Sequence, residues 1–539
     1  MPGLLRLAVA QVRRDRILLP IWILGIALLG FATASAVSSE FSEEGDRRAI
    51  MAVAAVNPSL LFLRGLPDGS GIGPVVFFQG YAFTALLAGL MSTFLVVRHT
   101  RTDEELGRAE LIGSTPLPRS TPLGATLLVG CAANLILAGC VAVGFAAAGL
   151  PGDGSLTAGA AVGAVGLFFV PVAALMAQVM PSGRSANGAA AALVGAAYLL
   201  RGIGDAVGTP NLELTRVTSG WISVLSPIGW GQRSRPFTAP DLVPLVVVVA
   251  AAVVLTVAVL LIRGRRDLGA SLLPERAGRA RSGTGGQSLV GLAWNLQRPT
   301  LIGWCVGAAV MGGIAGGLGP VVTDAVEGNN SLAELIGRLV PGVEAQIVDV
   351  FTAALIGIAG VLAAAAGIQC VLRMRAEEAE GRAELLLAVP RSRTSWLTAN
   401  LALALASAVV VAAVAGSAAA LGLWLTGMTG TPGTELLAAS LAHVPAAAVF
   451  VAAPALAFAT VPRWSVPVGW GLLAAGLILG QFGELLGLPE WLQAVSPFHH
   501  SPAMPVEAFD PMPALSMTLI ALAGVGIAAY LIQRRDLTT

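Results

Sequence analysis

The sequence predicts an all-α polytopic membrane protein of about twelve transmembrane helices, arranged as two parallel six-helix repeats. Three observations predict it. First, 55% of the 539 residues are apolar and 12% are charged, where a soluble protein has roughly 25% charged residues. Mean hydropathy is +0.79. Second, the apolar residues fall into long continuous runs, each able to supply the roughly 20 residues that cross a bilayer. Third, charged motifs of the first half recur in the second. These figures exclude a soluble enzyme, a disordered chain and a nucleic-acid-binding protein. The formal net charge of +1 offers no field for steering polyanions. The 65 glycines and 32 prolines lie inside the apolar runs, as membrane helices tolerate. Continuous rather than alternating runs argue against a β-barrel.

The first six predicted spans lie near 17–37, 75–97, 123–148, 155–180, 186–207 and 242–262. The second six lie near 300–322, 348–372, 396–426, 435–461, 465–487 and 514–532. The 17–37 run lacks a clear A-x-A cleavage site and reads as a span, not as a secretory signal. Orientation follows from arginine. With the N-terminus in the cytoplasm, cytoplasmic segments hold 24 arginines and external loops hold seven: Arg47, Arg48, Arg64, Arg216, Arg233, Arg235 and Arg338. Arg201 lies within a span. This excess of basic residues on one side places both termini in the cytoplasm. Residues 4–16, and again 288–298, carry one apolar and one basic face and read as interfacial helices before the first and seventh spans.

All 32 basic residues are arginine, and the chain has no lysine. A P-loop needs the lysine of GxxxxGK[ST] to reach the β- and γ-phosphates, and Schiff-base catalysis needs a lysine amine. Neither chemistry is available to this chain. Cys131, Cys140, Cys305 and Cys370 all sit in apolar stretches without a CxxC pair and read as small buried hydrophobes. The histidines show no zinc-binding spacing.

The halves match at an offset of roughly 270 to 282 residues. Gly107-Arg-Ala-Glu-Leu111 is repeated as Gly381-Arg-Ala-Glu-Leu385, each followed by a proline (Pro116, Pro390) and an arginine (Arg119, Arg393). Ser226-Pro227 matches Ser496-Pro497, and Arg265-Arg266-Asp267-Leu268 matches Arg534-Arg535-Asp536-Leu537. Six spans per half is an even number, so both halves insert the same way up, with a pseudo-twofold axis along the membrane normal. The predicted organisation is a first half at 1–262, a cytoplasmic linker with interfacial helix at 263–299, and a second half at 300–539. The linker holds the flexible run Ser282-Gly-Thr-Gly-Gly-Gln-Ser288.

The charged loop after the second span of each half is the most informative segment. Glu104–Arg108 and Glu378–Arg382 are spaced i,i+4 with glutamate first, a pairing expected to add roughly 0.2–0.5 kcal/mol each to a helix. The stretches Glu104-Glu105-Leu-Gly107-Arg108-Ala-Glu110 and Glu377-Glu378-Ala-Glu-Gly381-Arg382-Ala-Glu384 resemble the EKERGTxExLLxxPxSR segment of ABC-2-type permeases of ATP-binding-cassette exporters. The duplicated form with Ser226-Pro-Ile-Gly-Trp230 resembles the actinobacterial polyketide-antibiotic and multidrug (tetronasin-resistance) type. The second half departs from it, reading Ser496-Pro-Phe-His-His500.

The resemblance implies a type V exporter-like fold in a bacterial plasma membrane. It further implies that these ten loop residues contact two copies of a separate ATPase subunit. This chain would then hold no cofactor, with ATP and Mg on the partner subunits. It implies lipophilic cargo and a pathway lined from the second and fifth spans of each half. Phe77, Phe78, Phe83, Arg201, Asp205, Phe351, Gln481 and Glu484 are the candidate lining residues. Polar groups inside spans are expensive and default to functional candidates. Arg201 and Asp205 also stand i,i+4 and could form a structural pair. Asn134, Gln178 and His443 are isolated polar residues. The segments 208–240 and 488–513 are too short for a soluble domain and read as external re-entrant or interfacial hairpins. Two other readings stay open: export of an endogenous lipid or envelope precursor, and ion-coupled secondary transport through Asp205 or Glu484.

Overall fold

A computed structural model describes residues 2–267, 269–273, 288–317, 347–388, 392–427, 431–481 and 489–535. Glu484, Pro390, Arg338 and most of the 282–288 linker run lie outside them, as does the side chain of Phe351. Among the described residues, twelve helices are long and apolar enough to cross a membrane, so the all-α polytopic fold holds. The chain divides into two compact units, Met1–Gly278 and Arg279–Thr539.

In the first unit the spans are Leu18–Glu40, Ile72–Arg98, Thr121–Ala147, Gly152–Val179, Gly183–Ala206 and Val243–Arg265. In the second they are Leu289–Gly317, Ile347–Ala379, Arg393–Leu425, a pair formed by Gly433–Leu441 and Val444–Thr460, then Ser465–Gln481 and Pro511–Leu531. Many run past the apolar stretch that marks them in the sequence. At about 1.5 Å per residue, the 33-residue ninth span is longer than the roughly 30 Å hydrocarbon layer. The end of the fifth span that begins it is closed by a capping box: Ser182 Oγ accepts from the Ser185 N–H, and Ser185 Oγ accepts from the Ser182 N–H, both at 3.1 Å.

The N-terminal helix Pro2–Arg14 is separate from the first span, as its two-faced pattern predicts. The corresponding stretch of the second half differs. Residues 289–298 are the opening turns of an unbroken helix that continues through Pro299 to Gly317. A proline inside a membrane helix is tolerated where neighbouring groups take up the freed carbonyl. Two short helices, Glu44–Val56 and Pro58–Arg64, fill what reads in the sequence as a loop after the first span.

Each unit encloses its second span. For both the second and the eighth spans 72% of the apolar window is buried, against 28% for the first and 22% for the sixth. Small residues let the neighbours close in. Span 4 lays Gly159 and Gly163 against the backbone of Ala138 and Asn134 in span 3, and span 7 lays Gly312 and Gly316 against the carbonyls of Ala415 and Ala419 in span 9. Lipid is as apolar as a leucine side chain, so such close packing, rather than hydrophobic expulsion, holds the helices together.

A Cβ at Gly312 would collide with the Ala415 carbonyl, whereas one at Gly307, in the same span, meets nothing within 4 Å. Gly312→Ala is therefore expected to lower the thermal unfolding temperature in detergent, by the equivalent of about 1–3 kcal/mol of overpacking. Gly307→Ala should leave it unchanged or raise it. Equal effects from the two substitutions would contradict this packing.

Candidate functional site

The charged loop of the first unit is two short helices, Arg101–Glu105 and Arg108–Gly113, joined at Gly107. Gly107 sits at φ +70, a left-handed conformation that glycine adopts without strain. A Cβ there would meet nothing within 4 Å, so backbone conformation, not crowding, selects glycine. The break rotates the two helices against each other and dissolves the expected Glu104–Arg108 pair. Arg108 bonds Asp103 instead, at 3.1 Å. Glu104 turns inward to Arg101 at 3.0 Å and Arg266 at 2.6 Å, with Arg263 4.0 Å away. Burial pulls the Arg266 guanidinium below its ordinary pKa, opposed by the neighbouring Glu104 carboxylate. Arg101 also donates to the carbonyls of Pro181, Gly269 and Ala270. Glu105 Oε1 accepts from the Gly183 N–H at 2.9 Å, placing a carboxylate on an unpaired donor at the start of the fifth span.

The second unit repeats the glycine turn and two of these contacts, although Ala379 stands where the first unit has Glu105. Gly381 sits at φ +71. Arg382 bonds Glu377 at 2.7 Å, and Glu378 bonds Arg535 at 2.7 Å. The expected Glu378–Arg382 pair is again replaced, for the same reason: the left-handed glycine ends the helix before a fourth residue can face the first. Arg373 adds a 2.8 Å bond to Glu377. In each unit, then, the second arginine of the Arg-Arg-Asp-Leu motif clips the glutamate three residues before the loop glycine. The predicted loop residues consequently divide into two groups. Glu104, Glu377 and Glu378 are turned into the bundle, with side chains 8%, 8% and 2% exposed. Glu105, Arg108 and Glu110 are exposed, as are Gly381, Arg382 and Glu384. Beside them stand the exposed Leu106, Leu111 and Leu385. Asp103, Arg101, Arg266 and Arg535 escape a motif-based reading. The duplicated Arg-Arg-Asp-Leu motif marks the last two, but its link to the loop is a long-range contact.

The N-terminal helix is clamped to the same loop. Arg14 bonds Asp103 at 2.7 Å, and Asp15 bonds His99 at 2.6 Å and Arg98 at 3.2 Å. A cavity of about 400 Å³ opens between this helix and the loop, with Gln11, Arg14, Asp103, Arg108 and Leu117 in its wall. These contacts bring the start of the first span, the loop, the start of the fifth span and the end of the sixth to one end of the unit.

Arg201 and Asp205 do pair, at 3.1 Å, and both side chains are fully buried. Gln232 donates to the same Asp205 oxygen at 3.0 Å. Arg201 also donates to the carbonyls of Leu61, Phe62 and Leu63 at 3.4, 2.7 and 3.4 Å. These carbonyls belong to the last turn of Pro58–Arg64; that of Leu61 also accepts from the Gly65 N–H at 3.0 Å, and that of Leu63 from the Tyr198 hydroxyl. The cation thus holds that short helix onto the fifth span, with the Tyr198 ring 4.6 Å away. Phe77 and Phe78 are buried, Phe77 stacking on Tyr81 at 4.5 Å, and Phe83 lies 6.3 Å from the Tyr198 ring. Gln481 lies beside Gly357. Asn134 bonds Ser92 at 2.8 Å, Gln178 accepts from Arg266, and His443 faces the Ala439 carbonyl at 3.0 Å.

The segment 208–240 is built of short elements. Thr209–Pro210 pairs with Val217–Thr218, followed by a single-turn helix at Trp221–Leu225 and the short helix Pro227–Gln232. The two Ser-Pro motifs behave alike. Ser226 donates to the Ala197 carbonyl at 2.6 Å, and Ser496 to that of Gly476 at 2.7 Å, so each ties its segment back to the preceding span.

Removing Glu104 would leave Arg101 and Arg266 buried without their carboxylate. Glu104→Gln is expected to cost about 3 kcal/mol of stability, read as a marked fall in unfolding temperature. Arg108→Ala, at an exposed pair, should cost less than about 1 kcal/mol. The reverse order would show that Glu104 is not the buried anchor.

The model of the C-terminal domain of the multidrug efflux system permease Rv1217c matches residues 287–531. Over 536 residues the chain is 34% identical to the multidrug efflux system permease protein Rv1217c of Mycobacterium tuberculosis, covering 99% of this chain and 94% of that protein. A match of that extent, over a chain with twelve apolar helices, fixes its kind: it belongs to the family of multidrug efflux system permeases, as a multi-pass membrane transport subunit and not an enzyme.

Proposed function

We propose that this chain is the membrane subunit of an ATP-driven ABC-2-type exporter of lipophilic compounds, powered by two copies of a separate ATPase subunit. The observation that carries the proposal is the loop that occurs twice with one design. Its inner acids are clipped to the bundle, and its outer face presents a charged and apolar knob. The absence of lysine supports placing the ATP site and its Mg on other chains. The relative named as a multidrug efflux permease supports drug efflux.

In this reading the loops face the cytoplasm, both termini lie there, and the two six-span halves are parallel repeats. Each ATPase subunit seats on Arg108, Glu110 and Leu111 or on Arg382, Glu384 and Leu385. Closure of the ATPase pair displaces the knobs. The displacement reaches the fifth span through Glu105 and Gly183 and the sixth through Glu104 and Arg266. The halves then exchange inward for outward access. Phe83 and Gln481 stay candidate cargo contacts, whereas Arg201 and Asp205 brace the outer segment. That bracing also weighs against Asp205 as the carrier of a coupling ion, because Arg201 and Gln232 occupy it.

The test is co-purification with the cognate ATPase. Exchanging the exposed charges in both loops (Arg108→Glu with Glu110→Arg, and Arg382→Glu with Glu384→Arg) should weaken association about ten-fold or more. Drug-stimulated ATP hydrolysis should disappear while the unfolding temperature stays near that of the wild type. Undiminished stimulation in such a stable variant would refute the docking surface.

A further inference from the structure

The end of the first unit remote from the charged loop holds a second cavity of about 360 Å³. Three arginines, Arg216, Arg233 and Arg235, stand in its wall with one carboxylate, Asp68. Arg216 reaches Asp68 through Nε at 2.6 Å, and Arg235 does so through Nε at 3.1 Å. Both contacts use the inner nitrogen. The terminal Nη pairs, the fork that grips a carboxylate or phosphate with two parallel bonds, have no partner among the described residues. Arg233 bonds only the neutral Ser219 hydroxyl, at 3.1 Å, and has no carboxylate within 4 Å among the described residues. The wall therefore carries more positive charge than Asp68 balances. The same wall includes the rings of Phe77 and Phe237 and the prolines Pro67, Pro74 and Pro236.

The backbone points the same way. Arg235 adopts φ +45, which a residue with a Cβ takes up only under strain and which tends to mark ligand sites. Carbonyl and amide bonds around it hold the turn: Thr238 N–H and Ala239 N–H both donate to Arg235 O, and Asp241 N–H donates to Ser234 O. The strained residue is the one that adds the third guanidinium. A cavity wall with excess cationic charge and two aromatic rings suits a molecule with an anionic head and an apolar body. At about 360 Å³ it falls in the size range of small-ligand sites. Gln232 also lines this cavity and bonds Asp205, so an occupant would lie one side chain away from the Arg201 brace.

We propose that this cavity binds the carboxylate or phosphate head of an amphiphile, with Arg233 and the free forks of Arg216 and Arg235 as the anion receptor. Binding here needs neither ATP nor a partner subunit, so its failure would leave the exporter reading intact.

The test uses the full chain in nanodiscs of zwitterionic phosphatidylcholine, photolabelled with palmitate bearing a diazirine, and the labelled peptides mapped by mass spectrometry. Labelling is expected in peptides spanning 66–77 and 216–238. The methyl ester of the probe should label them about ten-fold less, the loss of one charge-assisted bond pair. Arg233→Gln should produce a similar loss and Arg233→Lys should retain most of the labelling. Replacing part of the lipid with phosphatidylglycerol separates two sources of the same chemistry. Suppression of labelling assigns the site to an anionic lipid headgroup, and persistence assigns it to a free carboxylic amphiphile. Equal labelling by acid and ester, measured on wild-type protein, would overturn the proposal. So would undiminished labelling of an Arg233→Gln protein that elutes and melts like the wild type.

Discussion

Hydrocarbon cannot solvate a charge or an unpaired backbone group, and the rest of this structure follows from that constraint. Twelve apolar helices satisfy their own backbone. Charge is driven to the helix ends, where it gathers into bonded clusters: Asp15 with His99 and Arg98, Glu104 with Arg101 and Arg266, Asp68 with Arg216 and Arg235. The pair that stays in a span, Arg201 with Asp205, is enclosed and also meets three carbonyls at the end of a short helix.

The loop glycine converts this constraint into a device. A continuous helix through 101–113 would put Glu104 beside Arg108 and spend both charges on a surface pair of small worth. The left-handed turn at Gly107 separates them. One face of the loop is then committed to the bundle through Glu104 and Glu105, and the other is free to meet a partner. Gly381 does the same work in the second unit, with Glu378 held by Arg535. A knob anchored on one side and open on the other transmits force, because displacement at its open face must move the helices to which it is tied.

At the opposite end of the first unit the same economy of charge runs differently. Arg201 uses its donors on carbonyls of 61–63 and so fixes the helix Pro58–Arg64 against the fifth span. Gln232 links that brace to the arginine-lined cavity. Ser226 ties the intervening segment to the Ala197 carbonyl. These segments are thereby tied to the fifth span, although their composition reads as loop.

Legibility divides along physical lines. Hydropathy and arginine position depend on local composition, so the twelve spans and the repeated motifs could be read directly, as could the i,i+4 pair Arg201–Asp205, which lies on one uninterrupted helix. The loop pairs could not. Helical spacing assigns Arg108 to Glu104 and Arg382 to Glu378, and one positive φ in each loop reverses both assignments. The helices Glu44–Val56 and Pro58–Arg64 were likewise hidden, because their stability comes from contacts such as Arg201 with the 61–63 carbonyls. By itself, then, the sequence determined that the chain lives in lipid, how many times it crosses and which charged motifs are duplicated. Only the tertiary structure decided which charges face inward and which outward. That choice depends on groups more than 150 residues apart, as Glu104 with Arg266 and Glu378 with Arg535, and local pattern carries no information about such contacts.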